Sequence, residues 1–284
     1  MHRPDLHQTP PRLWLIAGTG EGPMLAEQLL ADGWHLTVSV VSAPAALAYR
    51  PHPGLSLRVG ALGGANAVVA ELAGAEACGQ PYAVVVDATH PFARQVSQQL
   101  AVACGARGQR LLRLRRPALE GPATLLPGMA DLKGVPLMDQ RLLLAIGARQ
   151  LAAAVACSPG AVPHARLLPS PSALQEAMAA GLAPARVACL RPASAGAVER
   201  ALVRRWRITT VLARQSGGPT EQLWRQICGA ERLQLLLLSR PPEPPGVEVH
   251  DLEALQATLL EVLASLRPAG TIGMSPSPPS PPLP

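Results

Sequence analysis

Leu13-Trp14-Leu15-Ile16-Ala17-Gly18-Thr19-Gly20-Glu21-Gly22 is the stretch that decides the fold. Five apolar residues run directly into a turn carrying Gly18, Gly20 and Gly22, and residues 22–32 then read as a helix ending at Gly33. A short apolar run bounded by turn residues predicts a buried strand. Strand, glycine turn and helix in succession open a βαβ unit, whose crossover belongs to a parallel sheet. Such a turn lets the backbone approach a phosphate while helix N–H groups point at it. Position 23 is Pro, so the pattern is not the full Gly-x-Gly-x-x-Gly. A nucleotide turn and a plain tight turn both fit the residues at this point.

The alternation continues outward. Strands are predicted at 36–41, 55–59, 82–86 and 110–114, and helices at 65–73 and from Pro91 to about Gly105. Pro91 is read as a first helical residue, where its fixed φ and missing N–H do no harm. Residues 117–139 break the rhythm with Pro117, Gly121, Pro122, Pro127, Gly128, Gly134 and Pro136. Beyond them, strands are expected at 142–146, 165–168, 186–190, 209–213 and 234–239, and helices at 147–156, 172–180, 195–206, 220–231 and 252–265. This predicts an α/β fold of two Rossmann- or flavodoxin-like lobes, each with a parallel sheet, and an interdomain cleft. The expected organisation is a disordered tail over 1–11, a dinucleotide-binding domain over 12–120, a crossover over 121–140, a second α/β domain over 141–266, and a disordered Pro/Ser tail over 267–284.

Composition narrows the classes. Apolar residues make up 48% of the 284 and aromatics only 2%, so the core must be built from Leu, Val, Ala and Ile. The net charge of +6, with Lys133 as the only lysine, fits a site for polyanions and equally an arginine-rich composition with no such site. No basic run is interleaved with aromatics, so no nucleic-acid partner is expected. No segment reaches ~18 unbroken apolar residues, and no membrane span is expected. Cys78, Cys104, Cys157, Cys189 and Cys228 are scattered with no Cys-x-x-Cys pair, so neither a metal site nor a disulfide framework is expected. A reducing, cytoplasmic setting follows as the expectation.

Ligands of doubly wound sheets bind at the carboxyl ends of strands, so the turns after strands carry the candidate residues. Ser39-Val40-Val41-Ser42, at the end of the second strand, offers no acidic residue for a ribose hydroxyl and leans towards a 2′-phosphate. Asp87-Ala88-Thr89-His90-Pro91-Phe92-Ala93, after the fourth, collects Asp, Thr and His with the lone Phe of the chain. A capped helix start explains those residues as well as a reactive site does. Gln215-Ser216-Gly217-Gly218 is a second glycine turn, either an anion site or a bare turn. Arg240-Pro241 closes the last strand and, alone, reads as a surface arginine.

Taken together, these stretches resemble the precorrin-6A reductase family across most of residues 12–242. The most specific is Asp87-Ala88-Thr89-His90-Pro91-Phe92-Ala93. Ala17-Gly18-Thr19-Gly20-Glu21 is similar to the family's opening, as are Arg58-Val59-Gly60-Ala61-Leu62-Gly63-Gly64, Leu114-Arg115-Arg116-Pro117, Ala145-Ile146-Gly147-Ala148-Arg149-Gln150-Leu151, Ser216-Gly217-Gly218 and Ser239-Arg240-Pro241. The chain departs from the family at Arg214, where a Lys is usual, and at Arg191-Pro192-Ala193, where Gly-Pro-Phe is usual.

The resemblance implies reduction of one macrocycle double bond of precorrin-6A, or its cobalt form, by hydride from NADPH, with NADH the second choice. It implies Gly18, Thr19, Gly20, Glu21, Ser39 and Thr89 as cofactor contacts. It implies His90 and Asp87 as the catalytic pair, with His90 as proton donor; water or substrate carboxylates are the other sources of that proton. Phe92, Arg191, Arg214, Ser216, Gly217, Gly218 and Arg240 are implied for the substrate, whose acetate and propionate groups suit guanidinium. The small-molecule tetrapyrrole is the expected partner, with transient contact to neighbouring corrin-pathway enzymes. The rival readings are another Rossmann-type NAD(P) oxidoreductase and a non-catalytic tetrapyrrole- or nucleotide-binding protein. Tyr49 and Tyr82 are the only tyrosines, so no Tyr-x-x-x-Lys pair can form with Lys133.

Overall fold

A computed structural model describes residues 10–18, 20–191 and 196–266. Most of both predicted tails, and Thr19, lie outside the described residues. The chain forms two compact units: Met1–Ala88 with Gln99–Leu114 and Glu248–Pro284, and Thr89–Gln98 with Arg115–Val247.

The first unit opens with β1 (Arg12–Ala17), α1 (Gly22–Ala31), β2 (His35–Val40), the single turn α2 (Ala43–Ala46), β3 (Leu55–Val59), α3 (Ala65–Ala77) and β4 (Tyr82–Ala88). Helix α4 (Arg94–Arg107) and β5 (Leu111–Leu114) follow. Strands β1 and β4 are buried along nearly their whole length, as continuous apolar strands of a parallel sheet must be. Pro91 does not open α4. The Ala93 amide bonds to the His90 carbonyl at 2.8 Å and closes a four-residue turn with Pro91 second, a position its fixed φ suits. The helix therefore starts three residues later, at Arg94.

In the second unit, β6 (Thr124–Leu126) falls inside the expected crossover. It pairs with a later strand despite being only three residues long between Pro122 and Pro127. Next come β7 (Arg141–Leu144), α5 (Leu151–Ala156), β8 (Val162–Leu167), α6 (Pro171–Ala179), β9 (Val187–Cys189), α7 (Ala197–Arg205), β10 (Thr210–Arg214), α8 (Pro219–Glu231) and β11 (Gln234–Leu238). The sheet is parallel in the order β6-β11-β10-β7-β8-β9. Leu142, Leu144, Leu212 and Leu236 fill one core face, and Leu143, Val211, Leu235 and Trp224 the other.

The chain then leaves this unit. β12 (Glu248–His250) pairs with β5, and α9 (Leu252–Leu266) buries Leu255, Leu259 and Leu263 in the first core. Their spacing of four puts all three on one helix face, against a core that includes Leu112 and Leu114. Residues 248–266, expected in the second domain, pack with the first unit, and Thr89–Gln98, expected in the first, pack with the second. The finished first sheet is parallel in the order β12-β5-β4-β1-β2-β3. Counted within this unit, that is the Rossmann strand order. No helix among the described residues is long and apolar enough to cross a membrane.

Candidate functional site

Each sheet has one point where the strand order reverses, and ligands of open α/β sheets bind outside the carboxyl ends there. In the first sheet the reversal lies between β1 and β4, whose ends are in register at Ile16–Asp87 and Ala17–Ala88. Gly18 and Gly20 emerge exposed from β1, and Glu21 stands half-buried as the residue before α1. A Cβ at Gly20 would meet nothing within 4 Å, so the backbone there is open to a ligand. Gly22 is needed for a different reason. A Cβ would lie 2.9 Å from the Ala17 Cβ and collide with the Tyr49 hydroxyl, so glycine lets α1 start hard against β1.

Two expected site residues of this unit are occupied elsewhere. Ser39 is 3% exposed and accepts a 2.9 Å hydrogen bond from Trp14 Nε1. Its hydroxyl is thus engaged with a side chain of the neighbouring strand. Asp87 is 1% exposed, with Arg113 Nη1 of the neighbouring strand 2.6 Å from its Oδ2. That carboxylate balances a buried guanidinium, which is a structural task. Cys104 lies in the same buried region, and burial first, then the charge of Asp87, pushes its thiol up to about 12.

The second sheet reverses between β7 and β10. Gly147 follows β7 with φ at +82°, a left-handed backbone that favours glycine. A Cβ there would face the Arg214 guanidinium at 3.7 Å. Arg214, the last residue of β10, donates to Gln150 Oε1 at 3.0 Å and lies 5.1 Å from the Phe92 ring centre in a cation–π arrangement. Burial first, and then neighbouring Arg149, hold its pKa below the ordinary arginine value. Among the described residues it makes no ion pair with a carboxylate.

The Thr89–Phe92 loop belongs to this unit. Phe92 packs against its core, and the Phe92 amide donates to His90 Nδ1 at 3.2 Å. In the neutral ring that bond leaves the proton on Nε2. Thr89 is 6% exposed, with its hydroxyl 3.4 Å from that of Ser97.

The Ser216–Gly218 turn is already engaged by protein groups. The Gly217 amide donates to Glu221 Oε2 at 2.7 Å, and the Gly218 amide to the Ser216 hydroxyl at 3.4 Å. Glu221, buried in the first turn of α8, also accepts from Arg225 at 2.8 Å. The anion that this turn was expected to hold is thus the chain's own carboxylate. Gly217 has φ at +67°, and a Cβ would collide with Arg240 and the Pro117 carbonyl. Arg240 donates to the carbonyls of Arg116, Pro117 and Gln215, so its guanidinium ties the 116–117 segment to the turn. Arg191 is exposed after β9, beside residues 192–195, which lie outside the described residues.

Sequence reasoning passed over Arg113, Gln150, Glu221 and Tyr49. Arg113 was findable, because an arginine inside Leu111-Leu112-Arg113-Leu114 needs a buried counter-charge. Glu221 was findable too, as an acid at the third residue of a helix, where it can reach back to the amides before the helix start.

The model of the family described as Precorrin-6x reductase CbiJ/CobK matches residues 12–260. Among curated relatives, the cobalt-precorrin-6A reductase of Synechocystis sp. is 34% identical over 250 residues, covering 86% of this chain and 94% of that protein. The precorrin-6A reductase of Rhodococcus erythropolis is 33% identical over 249 residues, covering 84% and 93%. A solved structure titled CobK precorrin-6A reductase superposes with a TM-score of 0.71 at 25% identity, covering 89% of this chain and 97% of that one.

Proposed function

This chain belongs to the precorrin-6x reductase family, and we propose that it reduces one double bond of the precorrin-6A macrocycle, metal-free or cobalt-loaded, in cobalamin biosynthesis, with NADPH as reductant and NADH as second choice. The observation that carries the reading is the Rossmann strand order of the first sheet, with an open glycine turn at its reversal. Gly18, Gly20, Glu21 and the start of α1 fit the diphosphate of a dinucleotide, because backbone N–H groups and the helix dipole favour negative charge there. Thr19, outside the described residues, shares the assignment from its place in the sequence alone. Once bound, a reduced nicotinamide supplies hydride.

Saturating the bond also requires a proton. His90 is the assigned donor, through the Nε2–H that its Nδ1 bond to the Phe92 amide favours. Thr89 lies one residue before it and stays in the assignment as a lining group. Asp87 acts by holding Arg113 and the end of β4 in place, not by exchanging protons.

The substrate's acetate and propionate groups need cations that no protein carboxylate has neutralised. Arg214 meets that description best, with Gln150 holding one edge of the guanidinium and Phe92 beneath it. Arg191, exposed at the end of β9, is the second candidate. Arg240, Ser216, Gly217 and Gly218 contribute by shaping the edge around Arg214.

The test is nicotinamide oxidation by the purified chain, followed by loss of its near-ultraviolet absorbance, with precorrin-6A and its cobalt form supplied separately. Oxidation that depends on either substrate supports the reading and identifies the branch. Tetrapyrrole binding without oxidation overturns it in favour of a carrier.

A further inference from the structure

Among the described residues, Tyr49 is the one tyrosine whose hydroxyl has no protein partner. Its ring is buried in the first core, at 8% exposure, and its amide bonds to the Ala46 carbonyl at 3.1 Å just after α2. Tyr82 shows the usual outcome for a buried phenol: it donates to Glu71 Oε1 at 2.8 Å and lies 3.2 Å from the Thr37 hydroxyl. Among the described residues the Tyr49 hydroxyl makes no such bond, and a Cβ on Gly22, the first residue of α1, would collide with it.

That helix start is short of donors. Pro23 has no N–H, no side chain caps the end, and the Leu25 amide is spent on the Glu21 carbonyl at 3.0 Å. An anion seated there would find fewer amides than an ordinary helix offers, with a lone phenol hydroxyl beside them. Building on the dinucleotide reading above, we propose that Tyr49 is a cofactor-binding residue whose hydroxyl donates to the diphosphate held at the start of α1. Burial pushes its pKa up to about 12, so the group keeps its proton at neutral pH. Gly22 is then doubly constrained, by the approach of α1 to β1 and by the hydroxyl it must leave room for.

The test is Tyr49→Phe in the full chain, which removes one oxygen and keeps the ring. Dissociation constants are measured for NADPH, for NADH and for ADP, the last as a probe carrying the diphosphate without nicotinamide. The expected result is a loss of about tenfold for all three, the size of one hydrogen bond to a charged group, with Tm and the KM for the tetrapyrrole unchanged. Binding of NADPH within twofold of the unsubstituted chain would overturn the inference. So would a loss for NADPH that spares ADP, because the hydroxyl would then act away from the diphosphate. A lowered Tm with unchanged binding would make the hydroxyl structural and also overturn it. If the unsubstituted chain binds none of the three, the cofactor reading itself fails, an outcome distinct from a Tyr49 effect.

Discussion

The two sheet reversals are built alike and charged differently. Both put a glycine turn at the carboxyl end of a central strand, and both bring an arginine near that end. At the first, Arg113 is sealed against Asp87, each at 3% side-chain exposure or less. At the second, Arg214 has a neutral amide and an aromatic face for company. A buried ion pair satisfies its own charges and holds strands together, whereas a half-buried cation without a carboxylate can still take an anion from outside. The first edge is therefore suited to a ligand bound through backbone N–H groups, and the second to one bound through a charged side chain.

The comparison breaks most visibly if the sealed pair is opened. Arg113→Met leaves Asp87 buried without its counter-charge and should cost about 3–5 kcal/mol in denaturant unfolding. Joint replacement of Asp87 by Leu and Arg113 by Met should recover much of that loss. If the single variant is as stable as the parent, Asp87 is free for other work and its catalytic assignment revives.

The next effect is kinetic. His90→Ala should lower kcat by about a hundredfold with little change in Tm, since a positioned general acid contributes at least that much. Near-full turnover would move the proton to water or to the substrate.

Arg214→Ala should raise the KM for the tetrapyrrole about tenfold and leave NADPH binding and stability close to the parent's. Arg214→Lys should recover part of the affinity, because charge returns without the planar fork. Equal losses for cofactor and substrate would erase the distinction between the two edges.

The smallest effect concerns His164, tilted against Trp206 at 5.1 Å between ring centres. Burial above all lowers its pKa; the bond to the Val162 carbonyl opposes this, and Arg141 and Arg186 reinforce it. A histidine whose folded pKa is depressed takes up its proton more readily in the unfolded chain, so stability falls as pH drops below about 6.5. His164→Phe should flatten that slope, measured as Tm against pH. A slope unchanged by the substitution would assign it to other groups.

Much of the α/β architecture was legible because its strands are short apolar runs separated by glycine and proline, and that pattern is local. Strands β6 and β12 were not legible, since three residues each carry no periodicity and owe their conformation to the strands beside them. Gly18 and Gly20 were singled out from motif position and Arg214 through the family resemblance, and each stands at a reversal point. Ser39 and Asp87 were also found at strand ends, yet the side chain's direction sends one to Trp14 and the other to Arg113.

By itself the sequence determined two parallel sheets, the turns at their carboxyl ends and the family, because these depend on residue type and spacing along the chain. Only the tertiary structure decided that residues 248–266 complete the first unit, that Glu221 fills the second glycine turn, and that Arg214 has no carboxylate partner among the described residues. Those are pairings between residues far apart in sequence or facing one another across a turn. They are set by which side chains meet once the sheets are packed, and no local pattern records that.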